Sequence, residues 1–170
     1  FNLSNLYFFL LLTFAFFLPH NIAYAKSIFE LLKTAPKIWY ILGFAFIVYM
    51  ATYSNSHQYN SFGLSFYLRN VVLHYTVTFP IFRAITFIPM AWMALTLYLF
   101  YKESDNKWLI GILYIFALFS FIPLPLVEQR YYLPALVLLF ALMPAQDPKL
   151  DWSALFMYLP INCALLLLIS

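Results

Sequence analysis

Two charged residues two positions apart, Glu128 and Arg130, stand between two long apolar runs, in the stretch from Pro123 to Pro134. An arginine side chain is planar and permanently charged, and it forms paired hydrogen bonds with phosphate oxygens. One interpretation is therefore that Arg130 binds a phosphate or diphosphate and that Glu128 orients it. The alternative is an ion pair that ends a helix at a membrane boundary.

A second polar group precedes the third apolar run. Asn70 and His74 are four residues apart and would share one face of a helix, with Arg69 beside them. They could form a polar rim that faces a lipid-linked phosphate, or Arg69 could extend to lipid head groups while its stem stays in the apolar layer.

Three further residues, His57, Tyr59 and Arg83, could take part in binding or catalysis. His57, close to Tyr59 in a loop, could act as a general base or a hydrogen-bond donor, and it could equally be a solvated loop residue. Arg83 lies early in an apolar run, where it could contact a substrate; the sequence favours extension of its side chain to the membrane surface.

The sequence argues against several classes of site. There is no histidine or cysteine spacing typical of a metal site and no glycine-rich phosphate loop, since the chain has only three glycines. We therefore predict neither a metal nor a cofactor. The net charge of +3 is small and scattered, which argues against a nucleic-acid partner.

Composition places these residues in a membrane protein. Of the 170 residues, 65% are hydrophobic and only 9% are charged, whereas soluble domains have about 25% charged residues. Several apolar runs approach the roughly 17–25 residues that cross a bilayer as a helix. The sequence predicts an all-α polytopic bundle in which residues 1–170 form a single transmembrane domain.

We predict about six membrane spans and one helix on the membrane surface. The spans are Leu3–Leu18 (ended by Pro19 and His20), Ile38–Tyr53, Thr78–Tyr101, Trp108–Leu126, Tyr131–Met143 and Ser153–Ile169. The interfacial helix is Ser61–Val77, whose alternative is an extension of the third span. Because the chain starts at Phe1 inside an apolar run, we expect it to be the C-terminal part of a longer protein.

Basic residues in short loops predict the orientation. The first, third and fifth loops carry six lysines, which are Lys26, Lys33, Lys37, Lys102, Lys107 and Lys149. These loops are expected in the cytosol. The segments that contain Arg69 and the Glu128–Arg130 pair would then share the lumenal or extracytoplasmic side, where Glu128 is the only acidic residue.

The stretch Leu126–Pro134 resembles the "LxEFRYxxxP" signature of the dolichyl-phosphate-glucose α-1,2-glucosyltransferase family. Leu6–Phe9 and Phe16–His20 resemble its "YFF…FxxPH" span. Ser56–Tyr59 and Phe66–Asn70 fall where that family has a histidine-rich lumenal stretch and an aromatic, basic helix. The likeness covers nearly all of this chain but only the C-terminal part of the family. One departure is the family's "LLADNRHY" stretch, which is replaced here by Asn-Ser-Phe-Gly-Leu-Ser from Asn60.

The resemblance implies a glycosyltransferase of the GT-C superfamily. It would transfer a hexose, by resemblance glucose, from a polyprenyl- or dolichyl-phosphate donor to a lipid-linked glycan or extracytoplasmic acceptor. It implies that Arg130 and Arg69 bind the donor phosphate and that Glu128 orients Arg130. The acceptor-side candidates are His57, Tyr59, Asn70 and His74.

In the GT-C superfamily the catalytic base is an acidic residue of the first lumenal loop, which has no match here, so it would lie outside this chain. The compartment would be the endoplasmic reticulum membrane in a eukaryote and the plasma membrane in a prokaryote. The alternative function is a non-catalytic scaffold subunit or a transporter, although the sequence shows no internal repeat of the transporter kind.

Overall fold

A computed structural model describes residues 2–54, 71–124, 127, 129–142, 152, 153, 156 and 160, with only the backbone at 71, 129, 130 and 140. The elements in chain order are α1 (Ser4–Phe16), α2 (Leu18–Ala23), α3 (Ala25–Thr34), α4 (Lys37–Thr52), α5 (Val71–Thr78), α6 (Pro80–Glu103), α7 (Lys107–Phe121), a 3₁₀ helix (Gln129–Tyr132) and α8 (Leu133–Leu142). The all-α prediction is confirmed for the described residues, which contain no β-strand.

The long helix α6 is the centre of the assembly, since it packs against α1, α2, α3, α4, α5 and α7. Pro80 stands in its first turn, where the missing N–H costs nothing because that donor would have no partner inside the helix. Pro89 lies inside α6 and removes one hydrogen bond of the helix. The buried face of α6, which includes Met90, Met93 and Phe100, joins the main core with Phe8 and Phe121.

Three breaks separate α1, α2, α3 and α4, and two of them, between α1 and α2 and between α3 and α4, bear on the predicted spans. The expectation that Pro19 and His20 end the first apolar run is wrong, because α1 ends at Phe16 and both residues lie in the next helix, α2. The side chain of Asn21 in α2 supports this break by donating a hydrogen bond to the Phe14 carbonyl at 3.1 Å. At the other of these two breaks α3 and α4 meet at 105°.

Helix length limits how many spans the described residues support. At about 1.5 Å per residue, the 24 residues of α6 extend about 36 Å and can cross a bilayer core of about 30 Å. The bent pair α3–α4 has the length and hydropathy of a second span, whereas α1 and α7 are apolar but shorter. The six-span count therefore stays a prediction, and Ser153–Ile169 lies almost entirely outside the described residues.

The outer faces of these helices are apolar. Tyr40 and Trp108 are each 80% exposed, Ile81 is 78% exposed and Phe119 is 76% exposed. Tyr40 belongs to α4, Ile81 to α6, and Trp108 and Phe119 to α7, so apolar surface covers several sides of the described helices. Monomeric soluble proteins rarely expose apolar patches of more than a few hundred Å².

Candidate functional site

The segment that carries Arg130 is held in place by a buried amide. Arg130 lies in the 3₁₀ helix Gln129–Tyr132. The hydroxyl of Tyr132 donates a hydrogen bond to Asn5 Oδ1 at 2.6 Å, and Asn5 Nδ2 donates one to the Leu124 carbonyl at 2.7 Å. Asn5 and Tyr132 are both fully buried. One asparagine of α1 therefore bonds the Leu124 carbonyl before the Glu128 position and the Tyr132 side chain after it, an arrangement that we call the Asn5 clamp.

The same turn of α1 also holds the start of the second polar segment. Ser4 Oγ donates to the Ser54 carbonyl at 2.6 Å, and the Ser54 N–H donates back to Ser4 Oγ at 3.1 Å. The N–H of Asn2 donates to the Ile122 carbonyl at 2.8 Å. We call this the polar end: the first turn of α1, the end of α4, the start of α6, the end of α7 and the 3₁₀ helix. The flanks of both predicted polar segments meet there.

Most of the predicted site residues lie beyond the part of the chain that the structure describes. Arg69, Asn70, His57, Tyr59 and Glu128 fall outside the described residues, and Arg130 is described by its backbone alone. Whether these side chains meet therefore stays a prediction.

His74 is the acceptor-side candidate whose side chain the structure describes. It lies in α5, where its ring contacts the ring of Tyr75 at a centroid distance of 5.7 Å. The described part of the predicted interfacial helix, residues 71–77, is helical in the structure. It is separated from α6 by Phe79, whose backbone is extended, so these residues do not extend the α6 span.

Arg83 has a role that the sequence did not suggest. Its Nε donates to the Thr76 carbonyl at 2.9 Å, its Nη1 to the Met50 carbonyl at 3.0 Å and its Nη2 to the Val77 carbonyl at 2.6 Å. The last carbonyls of a helix have no partner within it, and these three lie near the ends of α4 and α5. The guanidinium thus joins the two helices that flank residues 55–70. The expectation that Arg83 extends to the membrane surface is wrong.

Hydroxyl groups complete the packing around Arg83. Its guanidinium lies 5.9 Å from the centroid of the Tyr53 ring, a distance typical of a cation–π contact. The hydroxyl of Thr76 donates to the Tyr53 hydroxyl at 3.1 Å, and the hydroxyls of Tyr49 and Thr86 are 2.9 Å apart. Every one of these hydroxyl groups is buried, so they fix the geometry of the polar end rather than offer a surface to a ligand.

The clamp residue Asn5 and the helix-joining role of Arg83 were both missed by the sequence analysis. Their one sequence signal is a polar or charged residue inside an apolar run, and such a residue needs a partner. The partners, however, are backbone carbonyls and a tyrosine as many as 127 positions away. No spacing rule for motifs can reveal such pairs.

The described residues contain no group of three or more histidine, cysteine or acidic side chains that could hold a metal ion. No protein-family model, curated protein or solved structure matches the chain. The polar end bonds Tyr132, two residues after Arg130, and both flanks of the segment that carries Arg69.

Proposed function

We propose that this chain is the C-terminal membrane portion of a glycosyltransferase whose polar end binds the phosphate of a polyprenyl-phosphate sugar donor. In this proposal Arg130 and Arg69 bind the phosphate oxygens, and Glu128 orients Arg130. The chain crosses the membrane about six times, with the polar end on the lumenal or extracytoplasmic side. The catalytic carboxylate is supplied by another part of the complete protein.

The observation that carries the proposal is the shared anchor of the two arginine-bearing segments. Ser4 is bonded to Ser54, one residue before the segment with Arg69, while Asn5 is bonded to Tyr132, two residues after Arg130. Consecutive residues of one helix turn thus hold both segments. Donors from separate segments can converge on one phosphate, and donors that are held in place bind it without first losing conformational freedom.

The charge distribution around the anchor is consistent with this role. Arg83 bonds three backbone carbonyls and so supports the polar end, which leaves Arg69 and Arg130 as the arginines for a ligand. Two arginines near a developing phosphate leaving group would stabilise its charge in the transition state. The apolar outer faces of α4, α6 and α7 support placement in a membrane, where the donor lipid is found.

The test measures binding of a short-chain polyprenyl-phosphate glucose to the complete protein in detergent micelles. Arg130→Gln should weaken binding roughly 10- to 100-fold, because charged hydrogen bonds to phosphate are about twice as strong as neutral ones. Arg130→Lys should also lose affinity, since an ammonium group cannot form the paired bonds. Lys107→Gln, at the opposite end of α6 and α7, is the matched control and should bind normally.

A second probe, a prenyl glucoside without phosphate, isolates the phosphate contact. Its weak binding should be the same in the Arg130→Gln variant and in the native protein. If a folded Arg130→Gln variant bound the phosphate donor as well as the native protein does, the proposal would fail. A non-catalytic scaffold subunit, which would lose only stability on substitution, would then account better for the polar end.

A further inference from the structure

A groove opens on the side of the molecule formed by α3, α4 and α6, toward the lysine-bearing end. Its volume is about 360 Å³, and it is lined by apolar and aromatic residues that include Leu32, Trp39, Gly43, Phe46, Trp92 and Leu95. Small-molecule and cofactor sites commonly have volumes of about 300–1,000 Å³. A lining of this composition suits a hydrocarbon chain.

The groove owes its shape to the bend between α3 and α4. Pro36 disfavours helical geometry in the residue before it, and Ala35 has φ −122° and ψ 75°. The indole N–H of Trp39 then donates to the Leu32 carbonyl at 3.1 Å, so a terminal carbonyl of α3 has a partner. On the facing helix, the Trp92 indole N–H donates to the Asn21 carbonyl at 3.3 Å. Both tryptophans are thus held in place before any ligand enters.

Gly43 leaves the middle of the groove empty. A Cβ atom built on this residue would have no heavy atom within 4 Å apart from its two chain neighbours and the nearby backbone of its own helix. The glycine therefore faces open space rather than a neighbouring helix, and we expect a larger side chain there to fill the groove without disturbing the fold.

The charges beside the groove have one sign. Residues 26–37 carry Lys26, Lys33 and Lys37 against the single acidic residue Glu30. Lys33 and Lys37 are exposed, and they stand on either side of the bend whose Leu32 and Trp39 line the groove. Basic residues next to an anionic membrane surface contribute about 1 kcal/mol each to binding. Tryptophan side chains favour the same depth in the bilayer.

We propose that this groove binds one acyl chain of an anionic phospholipid and that Lys33 and Lys37 bind its phosphate head group. The apolar lining favours a hydrocarbon chain, and the two lysines favour a lipid whose head group is negatively charged. The site goes beyond the sugar-donor site proposed at the polar end. It shares with that site only the placement of the helices in a membrane.

Quenching of tryptophan fluorescence by brominated lipids tests the proposal on the complete protein. The protein is placed in phosphatidylcholine nanodiscs that contain a small fraction of brominated phosphatidylglycerol or, in parallel, brominated phosphatidylcholine. A groove reporter keeps Trp39 and Trp92 and has phenylalanine at Trp108 and Trp152. A bulk-lipid reporter keeps Trp108 alone, which is exposed on α7.

In the groove reporter, brominated phosphatidylglycerol should quench more strongly than brominated phosphatidylcholine. The bulk-lipid reporter should show no preference. Replacing Lys33 or Lys37 by Ala should lower the preference about five-fold for each lysine.

Gly43→Leu should abolish the preference because it fills the groove. Gly111→Leu is the matched control, since a Cβ atom added there meets the Tyr101 ring at the ordinary contact distance of 3.8 Å.

Several results would overturn the proposal. Equal quenching of the groove reporter by the two lipids would contradict selection of an anionic lipid. An unchanged preference in Gly43→Leu would show that the lipid does not bind in the groove. If Trp108 were quenched while the groove reporter was shielded from both lipids, another protein segment would cover the groove. If no reporter were quenched, the membrane placement itself would be wrong. A failure in donor binding at Arg130 would leave all of these results unchanged.

Discussion

The two ends of this helix assembly handle polar groups in opposite ways. At the polar end, Asn5, Arg83 and Tyr132 bond backbone carbonyls or one another, and Asn5 and Tyr132 are fully buried. At the other end, which we call the basic end and which comprises α3, the last turn of α6 and the first turn of α7, the lysines are exposed. The Tyr24 hydroxyl donates there to Glu103 Oε2 at 3.0 Å.

The comparison teaches that charge density is a poor guide to where polar interactions determine the structure. The basic end has most of the chain's described charges, but they face outward, where exposed interactions contribute little. Among its described side chains the polar end has one charge, Arg83, which bonds carbonyls whose burial without a partner would be costly. We therefore expect substitutions at the polar end to change stability and those at the basic end to change surface binding.

The largest effect is expected at Arg83. Arg83→Leu leaves the Met50, Thr76 and Val77 carbonyls without this donor, and we expect it to lower the free energy of unfolding by roughly 3 kcal/mol. The free energy of unfolding of Arg83→Lys should lie between those of the native protein and Arg83→Leu, because an ammonium group cannot reproduce the planar arrangement of donors. Denaturant unfolding in mixed micelles, followed by circular dichroism, measures the change.

The matched control for Arg83 is Lys102→Leu, in the last turn of the same helix α6. It should change the free energy of unfolding by less than about 0.5 kcal/mol. Equal effects of Arg83→Leu and Lys102→Leu would erase the distinction between the two ends.

An intermediate effect is expected at the clamp between Asn5 and Tyr132. Asn5→Ala should cost about 2 kcal/mol, because it leaves the Leu124 carbonyl and the Tyr132 hydroxyl without this partner, and Tyr132→Phe should cost about 1 kcal/mol. In the double variant we expect a coupling free energy of about 1 kcal/mol in a double-mutant cycle. Strict additivity of the two changes would show that the bond does not hold the 3₁₀ helix.

The smallest effect is expected at Glu103. Glu103→Gln keeps an oxygen that can accept from Tyr24 and removes only an exposed charge, so the free energy of unfolding should change by less than about 0.5 kcal/mol. The same unfolding assay checks it, with Tyr132→Phe as the comparison at the polar end. A loss above that of Tyr132→Phe would mean that the basic end also has buried, structure-determining bonds.

Hydropathy was sufficient to predict the main helices. The predicted segments Ile38–Tyr53 and Thr78–Tyr101 correspond to α4 (Lys37–Thr52) and α6 (Pro80–Glu103), displaced by one or two residues. Long apolar runs between loop residues have one favourable conformation in a bilayer, where backbone groups must bond within their own segment. Local sequence therefore determines these helices.

The amphipathic helix α3 shows where this approach fails. Its buried side is set by Ile28, which packs with Tyr24 and Leu99, while Lys26, Glu30 and Lys33 lie on the exposed side. We read these lysines as loop residues because their charge interrupted the hydropathy signal. The helical spacing of Tyr24, Ile28 and Leu31 was the sequence signal that indicated a helix.

Arg83 and Asn5 show which part of the candidate site could not be predicted from the sequence. Their residue types indicate that partners are needed, but the partners are backbone carbonyls and a tyrosine hydroxyl whose positions depend on how the helices pack. The convergence of the two polar segments on one side of a membrane, in contrast, is a prediction from counting alternating spans. Their described flanks do meet at one end of the assembly.

The Asn5 clamp also sets the order in which the polar end can form. Its partners are Leu124 and Tyr132, which lie 119 and 127 residues further along the chain. At a synthesis rate of about 5–20 residues per second, α1 waits roughly 6 to 25 seconds for them. During that interval the amide of Asn5 must find water or another protein as a temporary partner. Asn5 therefore stabilises the finished polar end, but before its partners are made it leaves the nascent helix α1 dependent on its surroundings.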